Sequence, residues 1–232
     1  MKKLLLTTLV FVAASLSADE AKSSYSISTD FTFVSEYVFR GVKQQSASFQ
    51  PSVTITSGGF SAGVWTAQAL EDRAATWADG NEIDLFASYA VAIDGGYAFT
   101  VGATSYQYPS ARPLLGELDR TFEISAGFSG PLGPLSGSLT YFRDFDLDAD
   151  IYELGLSYGA DINDKTSYEV GGSYGIARYD AGGDYDYYAL NATVSYKLSE
   201  KTALTVGAHW SATDITGLKS NTWFSVGFRA DL

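Results

Sequence analysis

Residues 25–40, YSISTDFTFVSEYVFR, alternate between apolar and polar side chains. In an extended strand successive side chains point to opposite faces, so every second residue shares a face. One face of this stretch carries Tyr25, Ile27 and a run of phenylalanine and tyrosine residues, and the other carries serine, threonine and charged residues. The stretch therefore predicts a strand with one apolar face and one polar face.

The same alternation recurs along the rest of the chain. Most of the repeating segments have roughly 9–11 residues, which is the length that a tilted strand needs to cross a membrane. The sequence thus predicts an all-β fold, an antiparallel up-and-down transmembrane β-barrel of about 12 strands. The predicted strands are 25–40, 46–56, 60–70, 82–91, 97–106, 119–128, 136–143, 151–158, 167–176, 186–197, 203–212 and 222–232.

The connections between these segments fall into two sets of different length. Glycine, asparagine and aspartate in the shorter set suit tight hairpin turns, because these residues tolerate positive φ angles. Short turns on one rim and longer loops on the other are typical of outer-membrane barrels, with the turns periplasmic and the loops extracellular. The short set is 57–59, 94–96, 130–134, 161–164 and 198–201, and the longer set includes 71–80, 107–118, 144–150, 178–184 and 213–220.

Two features assign the apolar face to lipid. The apolar positions of the later strands carry no charge, and a lysine or arginine facing lipid at mid-membrane costs about 2–4 kcal/mol. Aromatic residues gather near both ends of these faces, as in the two aromatic girdles of a membrane barrel. The predicted girdle at the loop end comprises Tyr37, Phe39, Phe122, Tyr141, Tyr152, Tyr174, Tyr188, Trp210 and Phe224.

The first residues have the pattern of an export signal. Lys2 and Lys3 precede an apolar run over 4–14, and small residues follow before Asp19. This order is typical of a secretory signal peptide. We expect residues 1–18 to be removed and 19–232 to form a single barrel in the outer membrane of a Gram-negative bacterium.

Composition excludes several classes of protein. The net charge of −12 argues against a nucleic-acid partner, because phosphate binding requires clustered lysine and arginine. Charged residues make up 18% of the chain, against about 25% in soluble domains. The absence of cysteine excludes disulfides. We expect the partners to be outer-membrane lipid and lipopolysaccharide, small hydrophilic solutes or ions, and barrel-assembly machinery during insertion.

One segment carries a family resemblance. Residues 35–44, SEYVFRGVKQ, followed by Gln50 and Pro51, resemble the opening S-x-Y-x-F-R-G-x-S-Q of the TorF family of outer-membrane porins, although Lys43 replaces the usual serine. Residues 59–65 and 82–86 resemble the next two segments of that family. The resemblance covers about the first third of the mature chain. It implies an outer-membrane barrel with a pore function, and it supplies no catalytic residue and no substrate.

The polar face then lines the inside of the barrel. Rings of aspartate and glutamate favour cations in pores. The hypothesis is a porin-like channel for passive passage of small hydrophilic solutes with a mild cation preference. The alternative is a closed barrel without a pore, in which these carboxylates pair with basic residues and fill the interior. The candidate pore-lining residues are Asp30, Glu36, Arg40, Glu82, Asp84, Glu123, Glu153, Glu169, Lys197 and Arg229.

Other functions have weaker support in the sequence. A structural or adhesive barrel without conductance would show the same strand pattern. An outer-membrane hydrolase would have to use His209 as a general base, with Ser211 or Asp214 nearby. Phosphate-binding loops, zinc-type spacings and a nucleophile elbow are absent. We expect no catalytic residue and no cofactor.

An acidic run at 144–150 resembles a calcium-binding loop, since aspartate occupies every second position. An EF-hand loop, however, needs glycine where Ala149 stands and glutamate where Gly155 stands. The run is therefore interpreted as a solvated acidic loop, and no metal site is expected.

Overall fold

The computed structural model describes residues 25–70, 81–109 and 119–232, so the predicted signal peptide at 1–18 lies outside the described residues. No helix in these ranges is long and apolar enough to cross a membrane. The strands are β1 (Tyr25–Val34), β2 (Tyr37–Phe39), β3 (Val42–Gln45), β4 (Ser48–Ser57), β5 (Phe60–Ala69), β6 (Glu82–Ile93), β7 (Tyr97–Gln107), β8 (Arg120–Leu132), β9 (Leu135–Asp144), β10 (Ala149–Asp161), β11 (Thr166–Tyr179), β12 (Tyr185–Lys197), β13 (Thr202–Thr213) and β14 (Asn221–Asp231).

Twelve of these strands, β1 and β4 to β14, form one closed barrel. Each pairs antiparallel with its neighbour along the barrel, and β1 closes the ring by pairing with β14 from Ser28↔Asp231 to Val34↔Ser225. The predicted fold class, an antiparallel up-and-down barrel of about 12 strands, is confirmed.

The register places the apolar residues outside and the polar residues inside. Outward side chains in mid-strand are apolar and exposed, for example Leu85 at 53% and Val206 at 56%. Outward tyrosines pack in pairs across neighbouring strands, with ring centroids 5.2 Å apart for Tyr141 and Tyr152. The outer surface therefore has an apolar band with aromatic residues near its ends, as the alternation predicts.

The connections are sorted by rim. At one rim, here called the turn end, the connections are 58–59, 94–96, 133–134, 162–165 and 198–201. The opposite rim, here called the loop end, has mostly longer connections and includes the residues that the structure does not describe. The start of β1 and the end of β14 both lie at the turn end, because Ser28 pairs with Asp231.

The predicted first strand, 25–40, is wrong beyond Val34. The Ser35 amide donates to the Phe224 carbonyl oxygen at 2.9 Å, and the chain then leaves the barrel wall. Strands β2 and β3 pair only with each other in a separate two-stranded sheet. Arg40 and Gly41 form the tip, with φ angles of 46° and 83°. Alternation predicted extended backbone correctly here, but it does not record where a strand turns back on itself.

The outward face can be tested at Ala192, which lies midway between the outward residues Tyr188 and Tyr196. We expect Ala192→Arg to lower the free energy of unfolding by about 2–4 kcal/mol, because the guanidinium would lie in hydrocarbon. The measurement is urea unfolding from lipid vesicles, followed by tryptophan fluorescence. The matched control is Thr193→Arg, one residue along on the inner face opposite Glu169. An equal loss in both variants would contradict the assignment of faces.

Candidate functional site: the lumen and its inward-folded hairpin

Residues 35–47, here called the lumen hairpin, fold into the barrel interior. The Tyr37 ring lies 5.4 Å from the ring of Trp65, an inward residue of β5. The Phe39 ring lies 6.0 Å from that of Tyr106, an inward residue of β7. Tyr37 and Phe39 therefore contact the inner wall, and their predicted place in the lipid-facing girdle is wrong.

The hairpin also contacts the opposite side of the wall. A Cβ atom added at Gly41 would lie 2.8 Å from the Tyr187 Cβ atom and 3.1 Å from the Thr213 Cβ atom. Val42 packs against a buried cluster that includes Phe142 and Ile151. These contacts reach strands all round the barrel, so the hairpin occupies the loop end of the lumen.

The strongest polar contact of the hairpin joins Arg40 to Glu123 of β8. The two terminal nitrogens of Arg40 donate to the two carboxylate oxygens of Glu123 at 2.8 and 3.0 Å. The guanidinium carbon lies 4.7 Å from the centre of the Phe39 ring and 4.6 Å from that of Phe142. The Tyr106 hydroxyl donates to Glu123 Oε1 at 3.0 Å and orients the carboxylate. Both charged side chains are buried, at 10% and 2% exposure.

Such a bidentate pair is sensitive to the loss of either partner. The planar guanidinium fork matches the geometry of a carboxylate, and aromatic faces stabilise its charge. Removing one member of a buried pair costs about 3–5 kcal/mol, since the other charge is left uncompensated. Arg40 is therefore the main polar anchor between the hairpin and the wall.

Two further carboxylates, Glu82 and Asp84, lie inward on β6 beside Tyr37 of the hairpin. Among the described residues no lysine or arginine forms an ion pair with either. Asp84 Oδ1 is buried and has no hydrogen-bond partner within the described part of the chain. Burial raises the pKa of the Tyr108 hydroxyl, just beyond β7, and the nearby Glu82 carboxylate raises it further. The wall next to the hairpin is thus acidic.

The turn end of the lumen has a different lining. Small inward residues predominate there, and Ser, Thr and Gly occupy most inward positions of the central strands. Arg229 pairs with Asp231 at 3.2 Å and faces Asp30 across the β1–β14 ladder. Glu169 and Lys197 also lie on this part of the inner wall. The turn end of the lumen is therefore lined by smaller side chains than the wall beside the hairpin.

The predicted pore-lining residues fall into two groups. Glu36 and Arg40 lie in the lumen hairpin, where Glu36 pairs with Lys43 of the same hairpin. The structure brings Arg40 into direct contact with Glu123, another member of the predicted set. The others lie on the inner faces of barrel strands, and they are Asp30, Glu82, Asp84, Glu123, Glu153, Glu169, Lys197 and Arg229.

The aromatic part of the site is not among the residues predicted from the sequence. Tyr106, Phe142 and Tyr187 face inward and surround the Arg40–Glu123 pair, and the Tyr187 hydroxyl donates to Glu153 Oε2 at 2.7 Å. Their positions follow the alternation, which places them on the polar face of their strands. Large aromatic residues on an otherwise polar face were the available signal that something packs inside.

The hydrolase hypothesis placed His209 beside Ser211 or Asp214, and the structure contradicts both pairings. His209 Nε2 lies 2.9 Å from Ser225 Oγ, and its ring stacks on Trp223. The Ser211 hydroxyl donates instead to the Tyr188 carbonyl oxygen at 2.7 Å. The Asp214 carboxylate accepts the Asp186 amide. On the inner wall His209 thus contacts Ser225 and Trp223.

The acidic run at 144–150 shapes a loop. The Asp144 carboxylate accepts the amides of Asp146 and Leu147, at 2.9 and 2.8 Å, and so closes the turn. Arg143 pairs with Asp148 at 2.8 Å. Within the described ranges no group of three or more His, Cys, Asp or Glu side chains could hold a metal ion.

A closed twelve-stranded barrel with an apolar outside and a polar lumen has the fold of the outer-membrane porins. Residues 18–231 match the sequence model of a family described as bacterial protein of unknown function (Gcw_chp), and the chain belongs to that family. The resemblance to TorF stays a prediction, whereas the porin fold that it implied is confirmed. No curated protein matches the chain.

Solved structures with the same fold include two porins and a channel. The chain is similar to the KdgM porin with a TM-score of 0.58 and 15% identity, covering 88% of this chain and 98% of that one. For the NanC porin the TM-score is 0.57, with 11% identity over 89% of this chain and 100% of that one. For an outer membrane channel from Pseudomonas putida F1 the TM-score is 0.55, with 11% identity over 92% and 97%.

The packing of the hairpin tip can be tested at Gly41. We expect Gly41→Ala to undock the hairpin, because the added methyl group meets Tyr187 and Thr213 and the φ angle is positive. The readout is hydrogen exchange of the amides in β2 and β3, which should lose protection by a factor of ten or more, about the equivalent of 1.4 kcal/mol.

The matched control is Gly58→Ala, which also has a positive φ but has nothing within 4 Å of the added atom. This variant should leave exchange in the hairpin unchanged. If hairpin protection survived in Gly41→Ala, the close contact at the tip would be refuted.

Proposed function

We propose that this protein is an outer-membrane channel for the passive passage of small hydrophilic solutes in a Gram-negative bacterium. The observation that carries the proposal is the closed barrel with an apolar outer band and a polar lumen whose turn end is lined by small residues. Small inward side chains leave space that water can fill. The proposed partners are outer-membrane lipid and lipopolysaccharide around the barrel, and the barrel-assembly machinery during insertion.

The structural neighbours support this proposal. KdgM and NanC are named as porins, and the Pseudomonas putida protein is named as an outer membrane channel. One KdgM structure is described as a complex with disordered oligogalacturonate. At such low identity these neighbours support a channel and not a particular solute.

We further propose a mild cation preference. Asp30, Glu82, Asp84, Glu153 and Glu169 face the lumen without an ion pair among the described residues. The two basic residues Arg40 and Arg229 are already paired with carboxylates, which leaves Lys197 as the opposing charge on the described inner wall. An excess of fixed negative charge raises the local concentration of cations.

A barrel without conductance is the second candidate. The observation in its favour is the lumen hairpin, which occupies the loop end and contacts strands on every side. A barrel sealed in this way would serve a structural or adhesive role. The catalytic alternative with Ser211 or Asp214 has no geometric support, because these proposed partners of His209 form their hydrogen bonds elsewhere.

Single-channel recording in a planar bilayer separates the two candidates. The comparison is between the wild-type protein and a variant in which residues 36–46 are replaced by a short glycine-serine linker. We expect discrete current steps, larger in the variant, because the linker removes the side chains that fill the loop end. Heat-modifiable gel mobility verifies that both barrels are folded. If neither folded protein gave current above background, this result would exclude the channel and favour the structural barrel.

The cation preference is tested by the reversal potential in a salt gradient. Glu82→Gln combined with Asp84→Asn should shift the reversal potential towards zero, because the carboxylates of β6 are removed from the lumen. The matched control is Asp94→Asn, which changes one carboxylate in a turn outside the lumen. Anion selectivity of the wild-type channel would contradict the charge argument.

A further inference from the structure

We propose that the lumen hairpin is a gate held closed by a latch, the Arg40 guanidinium bound to Glu123. When Arg40 leaves, its site on the wall, here called the seat of Arg40 and formed by Glu123, Tyr106 and Phe142, binds a guanidinium ion from solution. This proposal rests on the proposed channel function. It adds a closed state, a moving element and a binding site of defined chemistry.

The hairpin is attached to the barrel backbone at its two roots. The Ser35 amide donates to the Phe224 carbonyl oxygen at 2.9 Å, and the Leu70 amide donates to the Ala47 carbonyl oxygen at 3.0 Å. Between the roots, β2 and β3 hydrogen-bond to each other in a separate sheet. Moving the hairpin therefore leaves the barrel ladder intact, because side chains alone hold its middle against the wall.

The hairpin can move as a unit. Its strands keep their own pairing, from Phe39↔Val42 to Tyr37↔Gln45, and Lys43 pairs with Glu36 within the same segment. Both interactions travel with the hairpin, so neither has to break when it leaves the wall. The interactions that must break are the contacts to the barrel, and these include the ion pair of Arg40 with Glu123.

The seat of Arg40 has the features of a guanidinium-binding site. Glu123 accepts both terminal nitrogens, and the Tyr106 hydroxyl fixes the carboxylate in place. The Phe142 ring covers the guanidinium from the barrel side. These three residues belong to the barrel wall and stay in place when Arg40 leaves. The Phe39 ring, which also covers the guanidinium, belongs to the hairpin and moves with it.

The closed position blocks the loop end by contact. Tyr37 meets Trp65, Gly41 meets Tyr187, and Val38 packs with Val34 and Trp223. The turn end below is lined by small residues and remains polar. Withdrawal of the hairpin would join this polar chamber to the loop end and complete the passage.

The test is single-channel recording of full-length Arg40→Ala and Glu123→Ala. We expect each variant to raise the open probability at least about tenfold, because a buried charge loses its partner. Arg40→Lys keeps the charge but loses the bidentate geometry, and it should fall between wild type and Arg40→Ala. The matched control is Arg143→Ala, which removes an arginine that pairs with Asp148 outside the lumen hairpin and should leave gating unchanged.

Chemical rescue distinguishes a latch from a general loosening of the barrel. Guanidinium chloride at about 50 mM should return Arg40→Ala to low open probability, because the ion refills the seat on Glu123. The docked hairpin adds the Phe39 ring to this seat, so the closed state binds the ion more tightly than the open state. Methylammonium chloride at the same ionic strength should not, since it lacks the planar fork. Glu123→Ala should show no rescue by either ion.

The outcomes separate the gate from the channel. If the linker variant conducts while wild type, Arg40→Ala and Glu123→Ala behave alike, the gate is refuted and the channel stands. If Arg40→Ala opens but guanidinium has no effect, the guanidinium seat is refuted. If no folded variant conducts, including the one that lacks the hairpin, the channel function itself fails. Where Glu123→Ala does not fold, Glu123→Gln replaces it, with the same expected lack of rescue.

Discussion

Every strand of the barrel must hydrogen-bond along both edges, because hydrocarbon offers no partner for a backbone N–H or C=O group. Closure between β1 and β14 meets this requirement, with pairing that runs from Ser28 to Val34 of β1. Strand β1 ends at Val34, where its ladders to both neighbours stop. Beyond this point the chain satisfies its backbone within β2 and β3 and is free to leave the wall.

The closed wall gives the side chains of one chain two environments, lipid outside and a polar lumen inside. Outward positions accept apolar and aromatic side chains, whereas inward positions accept charges that would be expelled from lipid. Arg40 and Glu123 form a charged pair inside the barrel, where it is buried in protein beside Phe142 and Tyr106. A buried charged contact between the hairpin and the wall is strong when formed and costly when half broken. This property suits a latch.

Much of the fold was predictable because its signals are local. The period of two assigns Leu85 and Val206 to the outside and Glu82, Asp84 and Glu123 to the inside, and the register agrees. Glycines at the turn end marked the short connections. The contact between Arg40 and Glu123 could not be predicted from the sequence. These residues are 83 positions apart, and no local pattern indicates that they meet in space.

The sequence by itself determined the class of fold, the two faces of the barrel strands and the excess of carboxylates inside, since each depends on neighbouring residues and on the period of a strand. Only the tertiary structure decided that residues 35–47 fold into the lumen. Their alternation suits a longer strand in the wall equally well. The choice between the two depends on the inward aromatic residues and Glu123 of distant strands, which meet the hairpin only after the barrel has closed.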